Sequence, residues 1–282
     1  MSESAVCFGG LEIQSDANKY PLNEDLAGSM ACRGSSSEGD AAVYYVCDGI
    51  SSHRGDLAVR LIEKAIRPLL AHLLGRTYKL LKLDREERKA EIFELLREVI
   101  VNVDEAILET MEKCGATISI AMVVGKEVYT ANLGDSPIFL VEMNDRYEVL
   151  DIYPLYQCQN KAGEEMEKGN ITHDQLFGYA GSNILSNSVL GSGNTDGYIA
   201  LSSRPLPHYS LLLLGSDGGL AVLPLATLAE IISDASPYGV TEIVDSILDR
   251  VKDTPGATDN CTIVAQQFYV PKPLPVDPPM EK

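Results

Sequence analysis

The sequence predicts an α+β protein in which helices cover β-sheet, and three observations support this fold class. Apolar, β-branched segments occur in pairs joined by short turns, which is typical of antiparallel hairpins. Amphipathic segments occur in blocks and do not alternate with single strands, so a doubly wound βαβ fold is not expected. The chain has 282 residues, 45% of them hydrophobic, which is enough to bury a sizeable core.

Four helices are predicted. The first begins at Asp56, and its apolar residues recur at helical spacing as far as Leu73. Pro68 should bend or interrupt it because proline removes a backbone donor. The second begins after Asp84, which suits an N-cap, and its apolar face extends to Ile107. The two shorter helices are predicted over residues 225–235 and 240–251.

The strands are predicted from apolar runs separated by turn signals. Gly125-Lys126 is a two-residue hairpin signal, and Asn144-Asp145 marks a second turn. The predicted strands cover residues 43–47, 116–124, 127–134, 136–143, 146–152, 209–216 and 261–270.

The composition excludes several classes of partner. A formal net charge of −18 repels nucleic-acid phosphates and anionic membranes, so we expect neither as a partner. Six cysteines without a Cys-x-x-Cys pair, and a start without a signal-peptide pattern, indicate reduced thiols in a cytoplasmic protein. We expect one domain over residues 1–270 and a proline-rich, disordered tail over residues 271–282.

Six carboxylates lie near strand ends or in the early Asn-Glu-Asp segment. Each alone is more often a turn residue. If the strands meet at one edge, however, the acids would repel one another unless divalent cations such as Mg²⁺ or Mn²⁺ bind among them. A glycine after an acid lets the backbone turn sharply and brings a carbonyl close to a metal. The acids are Glu24, Asp25, Asp48, Asp135, Asp217 and Asp259.

The order of the motifs resembles that of the metal-dependent serine/threonine protein phosphatases of the PPM (type 2C) family, especially their bacterial branch. The resemblance covers about residues 10–270 and rests on the ordered set, because each motif alone is weak. The motifs are NED (23–25), CDGISSHRG (47–55), GATISIAMVV (115–124), VYTANLGDSPIFLV (128–141), EKGNITHDQL (167–176), NSVLG (187–191), LLLLGSDGG (211–219) and TDNCTIVA (258–265).

The resemblance implies a central antiparallel β-sandwich flanked by helices, in four α-β-β-α layers, with two Mg²⁺ or Mn²⁺ ions at one end. By motif position, Asp48 would bridge both ions and the Gly49 carbonyl would help bind one of them. Asp217 and Asp259 would hold the other ion. Asp135 matches the family acid that helps hold a third, looser ion.

The resemblance also implies the chemistry. Asp25 and Glu24 would hold metal-bound waters, and a hydroxide bridging the metals at Asp48 would attack phosphoserine or phosphothreonine in line. His53 is the candidate general acid, because Ile50 occupies the place where eukaryotic members carry a histidine. The implied partners are a phosphorylated protein substrate and a cognate serine/threonine kinase.

Several positions depart from the family pattern. Tyr20 stands where the family often has an arginine that grips the substrate phosphate, and the neighbouring Lys19 is a point charge without arginine's fork. Ser51 and Ser52 replace glycines, and Pro137 replaces a common arginine. Two alternatives therefore stay open: a catalytically weak relative that binds phosphorylated partners or acts as a scaffold, and a small-molecule phosphoesterase. The intact aspartates favour an active protein phosphatase.

Residues 151–190 correspond to the region of the family's mobile flap beside the active site. The segment is polar and contains glycines, as a loop that adapts to substrate would. The alternative is a helical hairpin without substrate contact.

Overall fold

The computed structural model describes residues 6–19, 21–32 and 40–271, which form two five-stranded antiparallel sheets. The strands are β1 (Cys7–Asp16), β2 (Asp25–Cys32), β3 (Ala41–Asp48), β4 (Ile118–Val124), β5 (Glu127–Leu133), β6 (Ile138–Met143), β7 (Val149–Pro154), β8 (Ala200–Pro205), β9 (Tyr209–Gly215) and β10 (Cys261–Tyr269). One sheet has the order β1-β10-β9-β6-β7, and the other has the order β2-β3-β4-β5-β8.

Helices cover the outer face of each sheet. Helices α1, α2 and α3 share an apolar core with the β2–β8 sheet, whereas α5 and α6 share one with the other sheet. A third apolar core lies between the sheets. These contacts give the four α-β-β-α layers and confirm the predicted fold class. The helices are α1 (Gly55–Gly75), α2 (Thr77–Leu80), α3 (Arg85–Glu109), α4 (Lys161–Glu167), α5 (Leu225–Ala235) and α6 (Val240–Asp253).

The central strands are apolar throughout because both of their faces are buried. In β3, Val43 and Tyr45 face the helices, whereas Tyr44 and Val46 face the opposite sheet. This two-sided burial explains why β3 does not alternate between apolar and polar residues.

The observed elements confirm most of the sequence predictions and correct three of them. Asp84 is the N-cap of α3, as predicted, and Glu87 completes a capping box with it. Helix α1 runs through Pro68 without interruption, because its other residues bury an apolar face against the sheet and α3. Strand β7 begins at Val149, later than predicted, because Tyr147 adopts φ +65° in the preceding turn. Strands β1, β2 and β8 were not predicted as elements.

The segment 151–190 contains one short helix, α4, and mostly irregular backbone, so the helical hairpin is wrong. Tyr20 and residues 272–282 of the expected tail lie outside the described residues. None of the helices within the described ranges combines the length and apolar character needed to cross a bilayer.

Candidate active site

The antiparallel topology brings five aspartates to one end of the sandwich. Asp25 opens β2 and pairs in register with Asp48, which closes β3. In the facing sheet, Asp217 follows β9, Asp259 precedes β10, and Asp135 lies just before β6. The end of β9 pairs with the beginnings of both β6 and β10, so these three acids share one edge.

The Asp25–Asp48 pair is the most strongly perturbed part of this cluster. Both carboxylate oxygens of Asp25 are buried and have no hydrogen-bond partner. Desolvation is the main reason that the pKa of Asp25 rises to about 7; the nearby Ser216 and Thr262 hydroxyls oppose the shift, and the charge of Asp217 adds to it. Desolvation, followed by the charge of Asp25, raises the pKa of Asp48 well above its usual range. The pair therefore lacks a positive partner.

Asp135 is held by a residue that sequence reasoning missed. Its carboxylate accepts a hydrogen bond of 2.7 Å from the Asn160 side chain, which also donates to the Ser182 carbonyl and caps α4. Burial raises the pKa of Asp135 to about 8, and the charge of Asp217 contributes. Asn160 had only an N-cap signal in the sequence. It ties the turn after β5 to the 151–190 segment.

Asp259 stands at the open side of the cluster. Its residue is exposed, yet desolvation of its carboxylate and the charge of Asp217 raise its pKa. The following residue, Asn260, is buried and accepts a 2.7 Å hydrogen bond from the Glu24 backbone N–H. Asn260 therefore fixes the Asn-Glu-Asp segment against the start of β10, a role that its sequence context did not reveal.

Two glycines beside the aspartates are required by close backbone approach. A Cβ on Gly49 would lie 2.6 Å from the Glu24 carbonyl oxygen, and one on Gly218 would lie 2.2 Å from the Asn260 carbonyl oxygen. Either side chain would displace backbone that positions an acid. The glycines after Asp48 and Asp217 are thus needed because neighbouring backbone packs too closely for a side chain.

Unlike the Asp25 carboxylate, the Glu24 carboxylate already accepts hydrogen bonds from other groups of the protein. It accepts hydrogen bonds from the Ser51 hydroxyl and, at 3.2 Å, from the backbone N–H of Asp56 in the first turn of α1. Ser51, at a position where the bacterial pattern has glycine, therefore supports Glu24 directly.

A cleft of about 380 Å³ opens beside three of the aspartates. The 151–190 segment forms one wall through Asn160, Phe177 and others, which agrees with a flap next to the site. The described residues that line the cleft include no lysine, arginine or histidine. Outside this lining, the Lys19 ammonium donates at 3.2 Å to the carbonyl of the lining residue Ala257.

His53 is not among the residues that line this cleft. It lies on an exposed 3₁₀ turn, where its Nδ1 is 2.8 Å from the Ser52 hydroxyl. It lines a separate pocket of about 310 Å³ together with Met111 and Leu190, and no aspartate of the cluster lines that pocket.

The cluster offers only oxygen ligands, which suit hard divalent cations. Within the described chain, no three His, Cys, Asp or Glu side chains form a ready-made ligand group. Mg²⁺ commonly needs only one or two carboxylates because it retains several waters. At the Asp25–Asp48 pair, the unpartnered Asp25 oxygens and the raised pKa values of both carboxyls indicate a deficit of positive charge.

This sandwich, with a cluster of aspartates at one end, has the architecture of a PPM-type phosphatase domain. The protein phosphatase 2C family model matches residues 25–151. Over this part of its length the chain is similar to the protein phosphatase 2C (PPM) family, and it resembles bacterial members in particular.

Curated relatives and solved structures agree with this assignment. The serine/threonine phosphatase stp of Listeria welshimeri is 25% identical over 247 residues, covering 86% of this chain and 88% of the relative. The Listeria innocua protein of the same name is 26% identical over 227 residues, covering 79% and 82%.

Among solved structures, Stp1 from Staphylococcus aureus aligns with a TM-score of 0.72 at 18% identity, covering 94% of this chain and 96% of that one. The catalytic domain of PstP in complex with two manganese ions aligns with a TM-score of 0.67 at 17% identity, covering 94% and 100%. These structures establish the fold.

Proposed function

We propose that the chain is a divalent-metal-dependent phosphatase that hydrolyses phosphoserine and phosphothreonine in proteins. The observation that carries the proposal is an oxygen-only cluster in which both Asp25 oxygens are buried without a partner. A phosphate dianion would be repelled by the acids of the adjoining cleft, so binding requires cations between the carboxylates and the substrate. The names of the curated relatives support protein serine/threonine phosphatase activity.

In this proposal Asp48, the Gly49 carbonyl, Asp217 and Asp259 would hold two divalent ions. Asp135 would help hold a third, looser ion. When bound, Mg²⁺ or Mn²⁺ supplies an activated water and neutralises charge on the transferring phosphoryl group. The manganese in the PstP complex supports this metal class.

The protein's own groups then orient the reaction. The free Asp25 oxygens would accept hydrogen bonds from water in the site, and Asn160 fixes the direction of Asp135. Lys19, which contacts the lining residue Ala257 from outside the cleft, attracts the phosphate. Cys158 also lines the cleft, but burial raises the pKa of its thiol to about 12, so it stays protonated and is not the nucleophile.

The protonation of the leaving group is assigned to His53, the sequence-based candidate. His53 lines a pocket separate from the cleft, so its role is tested by its own substitution. His53→Gln should lower kcat with serine phosphopeptides and leave Mn²⁺ affinity unchanged. An unchanged kcat would remove His53 from the mechanism.

The substrate implies a serine/threonine kinase that makes the phosphoprotein. All six cysteines are free, which fits the reducing cytoplasm where we place the reaction.

A second candidate is a catalytically weak relative that binds phosphorylated partners. The lack of a basic side chain among the described cleft residues favours it. Incubation with p-nitrophenyl phosphate, with and without Mn²⁺, separates the two candidates, since only the enzyme gives metal-dependent turnover. A panel of phosphopeptides and small phosphate esters then distinguishes a protein phosphatase from a small-molecule phosphoesterase.

A further inference from the structure

We propose that Asp104, a buried carboxylate on α3, is a positioning residue that holds the backbone of the candidate active site through the loop of residues 189–193. Asp104 has no exposed surface and lies on α3, away from the aspartate cluster. The inference rests on the proposed function only for its metal-binding readout.

The carboxylate of Asp104 accepts hydrogen bonds from four backbone N–H groups of this one loop. Each of its oxygens accepts two hydrogen bonds from consecutive N–H groups, and the Ser192 hydroxyl lies a further 3.4 Å from Oδ2. The donors are Leu190 (3.0 Å) and Gly191 (2.7 Å) to Oδ1, and Ser192 (3.0 Å) and Gly193 (2.8 Å) to Oδ2.

This arrangement fixes the loop more tightly than apolar packing would. Burying a carboxylate is costly unless hydrogen bonds satisfy its lone pairs, so the loop must hold its N–H groups inward. Gly191 and Gly193 adopt φ of +63° and +66°, which allows the inward turn. The loop also touches the helix closely, since a Cβ on Gly191 would lie 2.8 Å from the backbone nitrogen of Leu108.

The loop continues directly into the backbone of the candidate active site. Val189 and Ala116 exchange two backbone hydrogen bonds, of 2.9 and 3.0 Å. Ala116 in turn forms a bridge with Gly49, and the next residue, Thr117, donates at 2.8 Å to the Asp48 carbonyl. Three chain segments thus lie side by side, with the Asp104-bound loop outermost and Asp48-Gly49 innermost.

A second connection joins the same region to the turn that carries Asp135. The Gln159 side chain donates at 2.7 Å to the Tyr198 carbonyl and accepts at 2.9 Å from the Gly134 N–H. Arg97, also on α3, holds the nearby Asp196. Helix α3 is therefore connected to the backbone near Asp48 through Asp104 and to the turn that carries Asp135 through Arg97. Of these two residues on α3, Asp104 is the buried one.

The test is Asp104→Asn in the full chain. Asparagine has the same shape, but its Nδ2 group would face two N–H donors, so half of the hydrogen bonds are lost. In metal-free protein we expect faster amide hydrogen exchange within 190–193 and also at Val189, Ala116 and Ile50. We expect the dissociation constant for Mn²⁺, measured by calorimetry, to rise about 10- to 100-fold, as for residues that orient metal ligands.

The matched control is Leu96→Ala, which removes buried volume from the same helix and leaves the hydrogen bonds between Asp104 and the loop in place. Both variants are measured at a temperature where they are fully folded. The control should leave the Mn²⁺ dissociation constant within about twofold of wild type, since ligand orientation is unchanged. It should not selectively accelerate exchange at Ala116 and Ile50.

Exchange that rises only within 190–193, with Ala116 and Ile50 as in wild type, would overturn the proposal. A pattern identical to that of Leu96→Ala would overturn it as well. If Asp104→Asn does not fold, Gly191→Ala disturbs the same contact from the loop side and should give the same exchange pattern. If wild type binds no Mn²⁺, the proposed function fails, whereas the exchange experiment still decides the role of Asp104.

Discussion

In metal-free protein, the folding stability of the Asp25→Asn variant should improve relative to that of wild type as the pH rises. The pKa of Asp25 is raised from 3.8 to about 7, mainly because both oxygens are buried. Between these values the folded state binds a proton that the unfolded state releases, so wild-type stability falls as the pH rises through this window. Asparagine does not titrate, so the variant does not lose this folding stability as the pH rises.

The size of the effect follows from the shift. Between pH 5 and pH 8 the wild-type protein should lose about 2.5 kcal/mol of folding stability through Asp25 alone. The buried amide of the variant costs about 1–3 kcal/mol, but this cost does not depend on pH. The difference in stability between variant and wild type should therefore shift in favour of the variant by about 2.5 kcal/mol from pH 5 to pH 8.

The assay is urea unfolding of protein treated with a chelator, at both pH values. Asp145→Asn, in the exposed turn before β7, is the matched control and should show no such shift. A stability difference for Asp25→Asn that is the same at both pH values would refute the reasoning, because the carboxylate would then not be desolvated in the folded state.

Three further outcomes are expected. Asp48→Asn and Asp217→Asn should abolish Mn²⁺-dependent turnover of p-nitrophenyl phosphate while circular dichroism stays unchanged; wild-type rates in either variant would remove that residue from the metal site. Mn²⁺ binding at pH 7 should release about one proton or more, because the pKa values of Asp25 and Asp135 are about 7 and about 8; calorimetry in two buffers of different ionisation enthalpy measures this, and zero release would contradict the raised values. Gly49→Ala should weaken Mn²⁺ binding at least about tenfold, because its Cβ would displace backbone beside Asp48; calorimetry showing wild-type affinity would contradict the close approach.

Local sequence signals predicted the elements that carry strong signals of their own. The N-cap at Asp84 and the turn at Gly125-Lys126 are examples, since both depend on neighbouring residues only. Strand β1 lacked such a signal because it is partly exposed, carries Gly9 and Gly10, and pairs with β10 from the far end of the chain. Pairing over such a distance cannot be inferred from local periodicity.

Asp48, Asp135, Asp217 and Asp259 were accessible to sequence reasoning because each stands next to a predicted apolar strand, whereas Asp25 was found through the Asn-Glu-Asp motif. Their supporting residues were not, because Asn160 and Asn260 act on partners 25 and 236 residues away in sequence. For Glu24, the motif position predicts a residue that holds metal-bound water, and in the fold its carboxylate accepts hydrogen bonds from Ser51 and from the backbone of Asp56.

The most direct measurement is anomalous diffraction from crystals soaked in Mn²⁺. We expect two strong peaks at coordination distance from Asp48, one of them also contacting Asp217 and Asp259. Peaks only at other surface carboxylates, or none with the aspartates ordered, would contradict the claim that these side chains gather around divalent cations.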